Sequence, residues 1–132
     1  QAQLHEIPLS AADDKSLAPE DTMVTIKESI SGRTVCKDAL ICSSMWKKAR
    51  GLILSQRKNL VFVFPWASRV ALHMVGVLYP IDVVGLDSKK RVVSLARLKP
   101  LQFWRSPAEV EYIIELCKKP YFVPKLGTQL KF

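Results

Sequence analysis

The apolar residues of the chain fall in short runs that alternate with turn-forming residues, a pattern typical of β-strands rather than long helices. A tight turn at Ser31-Gly32 separates the first two runs, and Pro65 is expected to end the third. Residues 99–107 are expected to form a loop rich in aromatic and basic side chains. The predicted strands cover residues 23–30, 34–41, 60–64, 70–78, 81–86, 91–98, 109–117 and 128–132.

One short helix is predicted between the second and third strands. Ser43 or Ser44 can cap its start, and Gly51 can end it in a left-handed conformation. The chain shows no alternation of strands and helices that would indicate a parallel sheet. The fold class predicted is therefore all-β, an antiparallel β-sandwich or distorted barrel, with seven to eight short strands and one short helix.

The segment 109–117 has the clearest period of two. Its even positions are apolar, whereas Glu109, Glu111 and Glu115 fall on the opposite face. This predicts a half-buried strand with a solvated acidic face. The spacing of the carboxylates is also compatible with a glycosidase pair, but an exposed polar face explains it more simply.

Charge divides the chain into two parts. The 132 residues carry a formal net charge of +8, yet residues 1–22 hold five acids and one lysine. Residues 23–132 hold the other 19 basic and seven acidic residues, so this part is strongly basic. We therefore predict a single β domain over 23–132. Residues 1–22 are either an acidic tail or a segment foreign to the native protein.

The three cysteines, Cys36, Cys42 and Cys117, do not form the even, regular set of a disulfide framework. Reduced, buried thiols are typical of an intracellular protein, which favours a cytoplasmic location, although a mature exported protein is also compatible. No paired-cysteine or paired-histidine spacing predicts a metal, and no cofactor is predicted. Proline and charged residues interrupt the longest apolar stretch, so no membrane span is predicted.

Several motifs occur together in an order that resembles domain-of-unknown-function family 192. They are the Arg-Gly-Leu at 50–52, the Phe-x-Phe-Pro at 62–65 and the Pro-x-Asp at 80–82. The resemblance covers about residues 24–132 and is nearer to the archaeal members. It implies a compact β-sandwich of jelly-roll-like topology with no assigned activity. Bacterial members often carry Trp-Met-Lys-Asn-Thr where this chain has residues 73–77, and Leu-Pro-Ala-Gly where it has 116–119. A site built on those polar residues would be altered here.

A first candidate site follows from Asp82, a carboxylate in an otherwise apolar strand, which must be paired, hydrogen-bonded or exposed. Arg50 is a suitable partner for it, or could present its planar guanidinium to an anionic ligand. Arg69 and His73 are the polar residues of the preceding apolar run. These four residues predict a cleft for a small ligand or a protein partner, with local pairing as the simpler alternative.

A second candidate is a nucleic-acid surface, because basic residues are interleaved with aromatic ones. The candidate residues are Lys47, Lys48, Arg57, Lys58, Arg97, Lys99, Trp104 and Arg105. A solvated basic surface is the alternative. The sequence carries no phosphate-binding glycine loop, no nucleophile elbow and no zinc-protease motif. The function predicted is a non-enzymatic binding module for a small ligand or protein partner, with nucleic-acid binding and then an unrecognised hydrolase as alternatives. Its partners and oligomeric state stay open.

Overall fold

A computed structural model describes residues 22–42, 58–74 and 78–132 of the chain. These residues are all-β, as predicted. Nowhere in them does the chain form a helix long and apolar enough to cross a membrane. The strands are β1 Met23–Glu28, β2 Thr34–Cys42, β3 Leu60–Ser68, β4 Ala71–His73, β5 Ile81–Leu86, β6 Val92–Leu98, β7 Phe103–Arg105, β8 Val110–Leu116 and β9 Leu130–Lys131. The predicted short helix lies outside the described residues.

Seven strands form one sheet in the order β6-β5-β8-β3-β2-β1-β9, and β4 pairs with β7 in a separate two-stranded ribbon. The expectation of a purely antiparallel fold is wrong at one place, because β2 and β3 run parallel, with Leu40 beside Leu60. Parallel neighbours need a connection of a dozen residues or more. The chain between Cys42 and Leu60 is long enough to provide it.

The sheet curls until its two edges meet. At one edge, Gly127 and Leu130 donate backbone hydrogen bonds of 2.8 and 2.9 Å to the carbonyls of Val92 and Lys90 at the other. We call these four residues the seam. The seven-stranded sheet is a curled half-barrel with an inner and an outer face, and the seam links its two edges. It is therefore closer to the predicted barrel than to a sandwich.

Both faces of the sheet carry a hydrophobic core. The inner core includes Ile26, Val61, Val84, Ile114 and Leu130. The outer core includes Leu60, Phe62, Leu72, Val83 and Ile113. Burial on both faces explains why the central strands read as almost continuous apolar runs.

The predicted acidic face is solvated only at Glu109, which is exposed just before β8 begins. Glu115 is fully buried and Glu111 is only 9% exposed. The period of two was read correctly, but β8 lies in the middle of the sheet and its outer face is covered. A strand with both faces covered has no solvated side.

The predicted end of the third strand is wrong for a physical reason. Pro65 does not end β3, which continues to Ser68. The pairing of β3 with β8 becomes irregular between Val63 and Ser68, and a strand tolerates proline where the ladder is disrupted.

The predicted loop 99–107 contains β7, and β4 is shorter than the predicted strand 70–78. These three-residue strands give little sequence signal. They form because Leu72 and Trp104, which are cross-strand partners, pack on the outer core. Nine strands are therefore present in the described residues, against the seven to eight predicted.

We predict that Gly85→Ala destabilises the protein by about 1–3 kcal/mol, the usual cost of overpacking. A Cβ at position 85 would overlap the Ser94 hydroxyl and come within 2.9 Å of Val110 Cγ1. Chemical denaturation would measure the loss of unfolding free energy.

Ser94→Ala is the matched control, because the Ser94 hydroxyl is buried and has no hydrogen-bond partner in the described part of the chain. This variant alone should be near neutral, and combined with Gly85→Ala it should recover part of the loss. If Gly85→Ala is as stable as the parent, the close approach of β5 and β6 is wrong.

Candidate functional site

A surface groove of about 460 Å³ opens where β5 begins and β6 and β8 end. Leu116 and Phe122 place it at the end of the inner core. We call it the mouth groove. Its lining residues are Pro80, Asp82, Arg97, Leu116, Cys117, Lys118, Lys119, Pro120, Tyr121, Phe122 and Val123.

An ion pair between Asp82 and Arg97 lies in the wall of the mouth groove. The two residues are direct cross-strand partners on β5 and β6. Arg97 Nη1 donates to both Asp82 carboxylate oxygens, at 3.1 and 3.2 Å. The Arg97 side chain is 63% exposed and that of Asp82 is 20% exposed. Because solvent screens an exposed pair, it contributes only about 0–1 kcal/mol to stability. Its main effect is therefore to orient the Arg97 side chain.

The opposite wall is held in place by a buried asparagine. Asn59 Oδ1 accepts a 2.9 Å hydrogen bond from the Lys118 amide, and its carbonyl accepts one from the Leu40 amide. The amide of Tyr121 donates to the Val35 carbonyl at 2.8 Å. These bonds tie the segment after β8 to β2 and β3, and so define the groove's second wall.

The mouth groove combines cationic and aromatic groups. Arg97 uses only Nη1 on Asp82, so its other N–H groups can face a ligand. Lys118 and Lys119 are both exposed beside it. Tyr121 is 69% exposed, and the Arg33 guanidinium lies 3.9 Å from the ring centroid of Phe122. This set fits an anionic molecule with an apolar or planar part.

The structure places Asp82 on a different side of the sheet from Arg69 and from the strand that carries His73. Asp82 belongs to the inner side of the sheet with Val84. Arg69 and β4, which carries His73, lie on the outer side, where Leu72 enters the outer core. Arg50 lies outside the described residues. Asp82 pairs with Arg97, a partner that was not predicted from the sequence, and its predicted pairing with Arg50 stays a prediction.

The described residues of the predicted nucleic-acid surface differ in exposure. Lys58, Arg97, Lys99 and Arg105 are exposed, whereas Trp104 is partly buried against the outer core. Lys47, Lys48 and Arg57 lie outside the described residues.

Sequence reasoning missed the contribution of residues 118–123 to the groove. A signal was present, since Lys118 and Lys119 precede Tyr121 and Phe122, the same basic and aromatic combination used for the other clusters.

The three cysteines are buried. Burial raises the pKa of the Cys36 thiol from 9.0 to about 11; a hydrogen bond with Asn59 opposes this and the Asp38 carboxylate adds to it. Such a thiol is protonated at neutral pH and is a poor nucleophile. No group of three or more metal-ligating side chains occurs within residues 22–42, 58–74 and 78–132.

The fold and the groove define a class: a small all-β protein with a curled sheet that opens into a cationic surface groove. The chain belongs to domain-of-unknown-function family 192, described as "Uncharacterized ACR", whose family model matches residues 25–121. This confirms the resemblance seen in the sequence motifs.

Several archaeal proteins are similar to this chain in sequence. A UPF0127 protein of Pyrococcus horikoshii is 36% identical over 97 residues, which cover 70% of this chain and 84% of the relative. A UPF0127 protein of Thermococcus sibiricus is 39% identical over 79 residues, or 57% of this chain. That match spans only 51% of the length of the T. sibiricus protein.

Two crystal structures share the fold. A Sinorhizobium meliloti protein, named as a proposed transcription regulator, superposes with a TM-score of 0.68 at 16% identity, covering 86% of this chain and 96% of its own. A protein of unknown function from Novosphingobium aromaticivorans superposes with a TM-score of 0.64 at 15% identity, covering 92% and 96%. At these identities the similarity shows the fold alone.

We predict that the unfolding free energy contains a contribution from Cys36 that is lost as the pH rises from about 9 to about 11. The folded state holds the thiol proton more tightly than the unfolded state, because the pKa of Cys36 is raised to about 11. The contribution of Cys36 to the unfolding free energy is therefore fully present below about pH 9 and is lost as the pH rises towards 11. Denaturation at several pH values would measure the slope.

Cys36→Ala provides the comparison, because lysines also titrate in this range. The difference in slope between the parent and this variant isolates the thiol. Identical slopes for the two proteins would show that Cys36 is not desolvated in the folded state.

Proposed function

We propose that this protein is a non-enzymatic binding module that holds a small anionic ligand in the mouth groove. The observation that carries the proposal is the Asp82–Arg97 pair. Asp82 engages a single nitrogen of Arg97 and orients the guanidinium along the groove wall. A carboxylate or phosphate can then receive hydrogen bonds from the remaining N–H groups.

The dimensions of the groove support a small molecule rather than a single ion. Its volume of about 460 Å³ lies within the range of small-ligand sites. Sites of this kind also occur at the mouths of barrels. Leu116 and Phe122 supply apolar contacts at its inner end, while Lys118 and Lys119 add positive charge at its rim.

Asp82 limits which anions can bind. Its carboxylate is fixed beside Arg97, so a ligand must compensate for repulsion from a nearby negative charge. We therefore expect selectivity for ligands whose anionic group contacts Arg97 and the two lysines together. A monoanion that contacts Arg97 alone should bind weakly.

We predict that phenyl phosphate binds the mouth groove saturably, and more tightly than inorganic phosphate, because its ring can contact Phe122 and Tyr121. Titration followed by ¹H–¹⁵N correlation spectra should show shifts concentrated in residues 116–123 and at Asp82 and Arg97. Arg97→Gln should weaken binding about ten-fold or more, the cost of losing charge-assisted hydrogen bonds.

Lys99→Gln is the matched control, because it removes one exposed positive charge two residues from Arg97 but outside the groove lining. It should change the affinity little. Equal weakening by Lys99→Gln and Arg97→Gln would contradict the proposal, as would shifts that grow linearly without saturation.

A further inference from the structure

The solvent-facing side of the β4–β7 ribbon carries an aromatic ring beside two arginines. Phe103 and Arg105 are two residues apart on β7 and so share a face. Arg105 pairs with Ala71, and Arg69 lies two residues before Ala71 along the chain. Backbone pairing between the two segments continues to Val70, because the Ser106 amide donates to the Val70 carbonyl at 2.8 Å. We call Arg69, Phe103 and Arg105 the ribbon face.

Burial shows which aromatic residue of the ribbon is available to a partner. Trp104 and Leu72 point inward and pack with the outer core. Phe103 points outward and is 67% exposed, and both arginines are exposed. The sequence suggested Trp104 as the aromatic residue of a nucleic-acid surface, but the alternation of β7 presents Phe103 instead.

All the formally charged residues of the ribbon and its flanking segments are basic. Residues 69–74 and 99–107 contain Arg69, Lys99 and Arg105 and no aspartate or glutamate. The guanidinium groups therefore have no carboxylate partner within the ribbon itself. A polyanion that follows the ribbon would meet no repulsive charge on it.

We propose that the ribbon face binds single-stranded nucleic acid, with a base stacked on Phe103 and the phosphates on one side of that base held by Arg105 and Arg69. Stacking on a protein ring requires a base that is not already stacked in a duplex, so single strands are favoured. Arginine suits this role because its planar fork contacts phosphate through two hydrogen bonds. The ribbon face does not use the mouth groove, which lies on the other side of the sheet.

An anionic membrane surface is the main competing partner. Leu101 is 77% exposed next to the ribbon face and would add apolar contact with lipid. The observations favour nucleic acid, because an exposed aromatic ring followed along the ribbon by two forked cations matches a base and the phosphates next to it. One ring and one leucine provide little area to insert into a bilayer.

The test is fluorescence anisotropy of the full chain with labelled oligothymidylate of about twelve nucleotides, within the usual site size of a small β domain. Binding should weaken strongly between about 50 and 200 mM salt. Phe103→Ala should lower the affinity roughly 5- to 150-fold with no change in the salt slope, since it removes stacking alone. Arg69→Gln with Arg105→Gln should lower the affinity and make the slope shallower by about 1.4, the value for two phosphate contacts on a single strand.

The matched control is Lys118→Gln with Lys119→Gln, which removes the same number of exposed charges from the mouth groove. This variant should retain most of the affinity. Equal weakening by the two double variants would overturn the proposal, because it would show attraction to net charge only.

An unchanged affinity in Phe103→Ala, equal binding of duplex, or binding to phosphatidylserine vesicles without binding to the oligonucleotide would also overturn it. All the substituted residues are exposed, and circular dichroism would verify that each variant is folded.

Discussion

A curled sheet can bury its inner face only if the backbone groups at its two edges find partners. In this protein the seam meets that constraint through hydrogen bonds from Gly127 and Leu130 to Val92 and Lys90. The Lys90 ammonium strengthens the same region, since it lies 4.0 Å from the Phe132 ring centroid and donates to the Phe132 carbonyl. With the edges joined, the inner core is enclosed, and its open end becomes the mouth groove.

Closure also determines where polar chemistry can occur. The central strands are buried on both faces, including the face of β8 that carries Glu111 and Glu115, so the middle of the sheet is covered. Asp82 and Arg97 lie at the end of the curl, where β5 begins and β6 ends, and can contact solvent. The ribbon covers the outer core and presents a second cationic surface of its own. The two proposed sites thus follow from one architecture. The mouth groove lies at the end of the inner core, and the ribbon face lies on the strands that pack on the outer core.

The sequence predicted local features well and non-local ones poorly. The bounds of β5 were predicted correctly, and the period of two in β8 was real. The buried state of Glu115 was not predicted, because a period of two does not reveal whether both faces of a strand are covered. Asp82 was expected to need a partner, but only strand register brings Arg97 opposite it. The parallel pairing of β2 and β3 likewise depends on a crossover that no local pattern encodes.

Amide hydrogen exchange measured by NMR would test the closure of the sheet most directly. The account predicts that the amides of Gly127 and Leu130 exchange slowly, with protection approaching that of Val84 and Ile114 in the middle of the sheet. Fast exchange at Gly127 and Leu130, while the central strands stay protected, would contradict the account. The sheet would then be open at the seam, and the mouth groove would have no fixed shape.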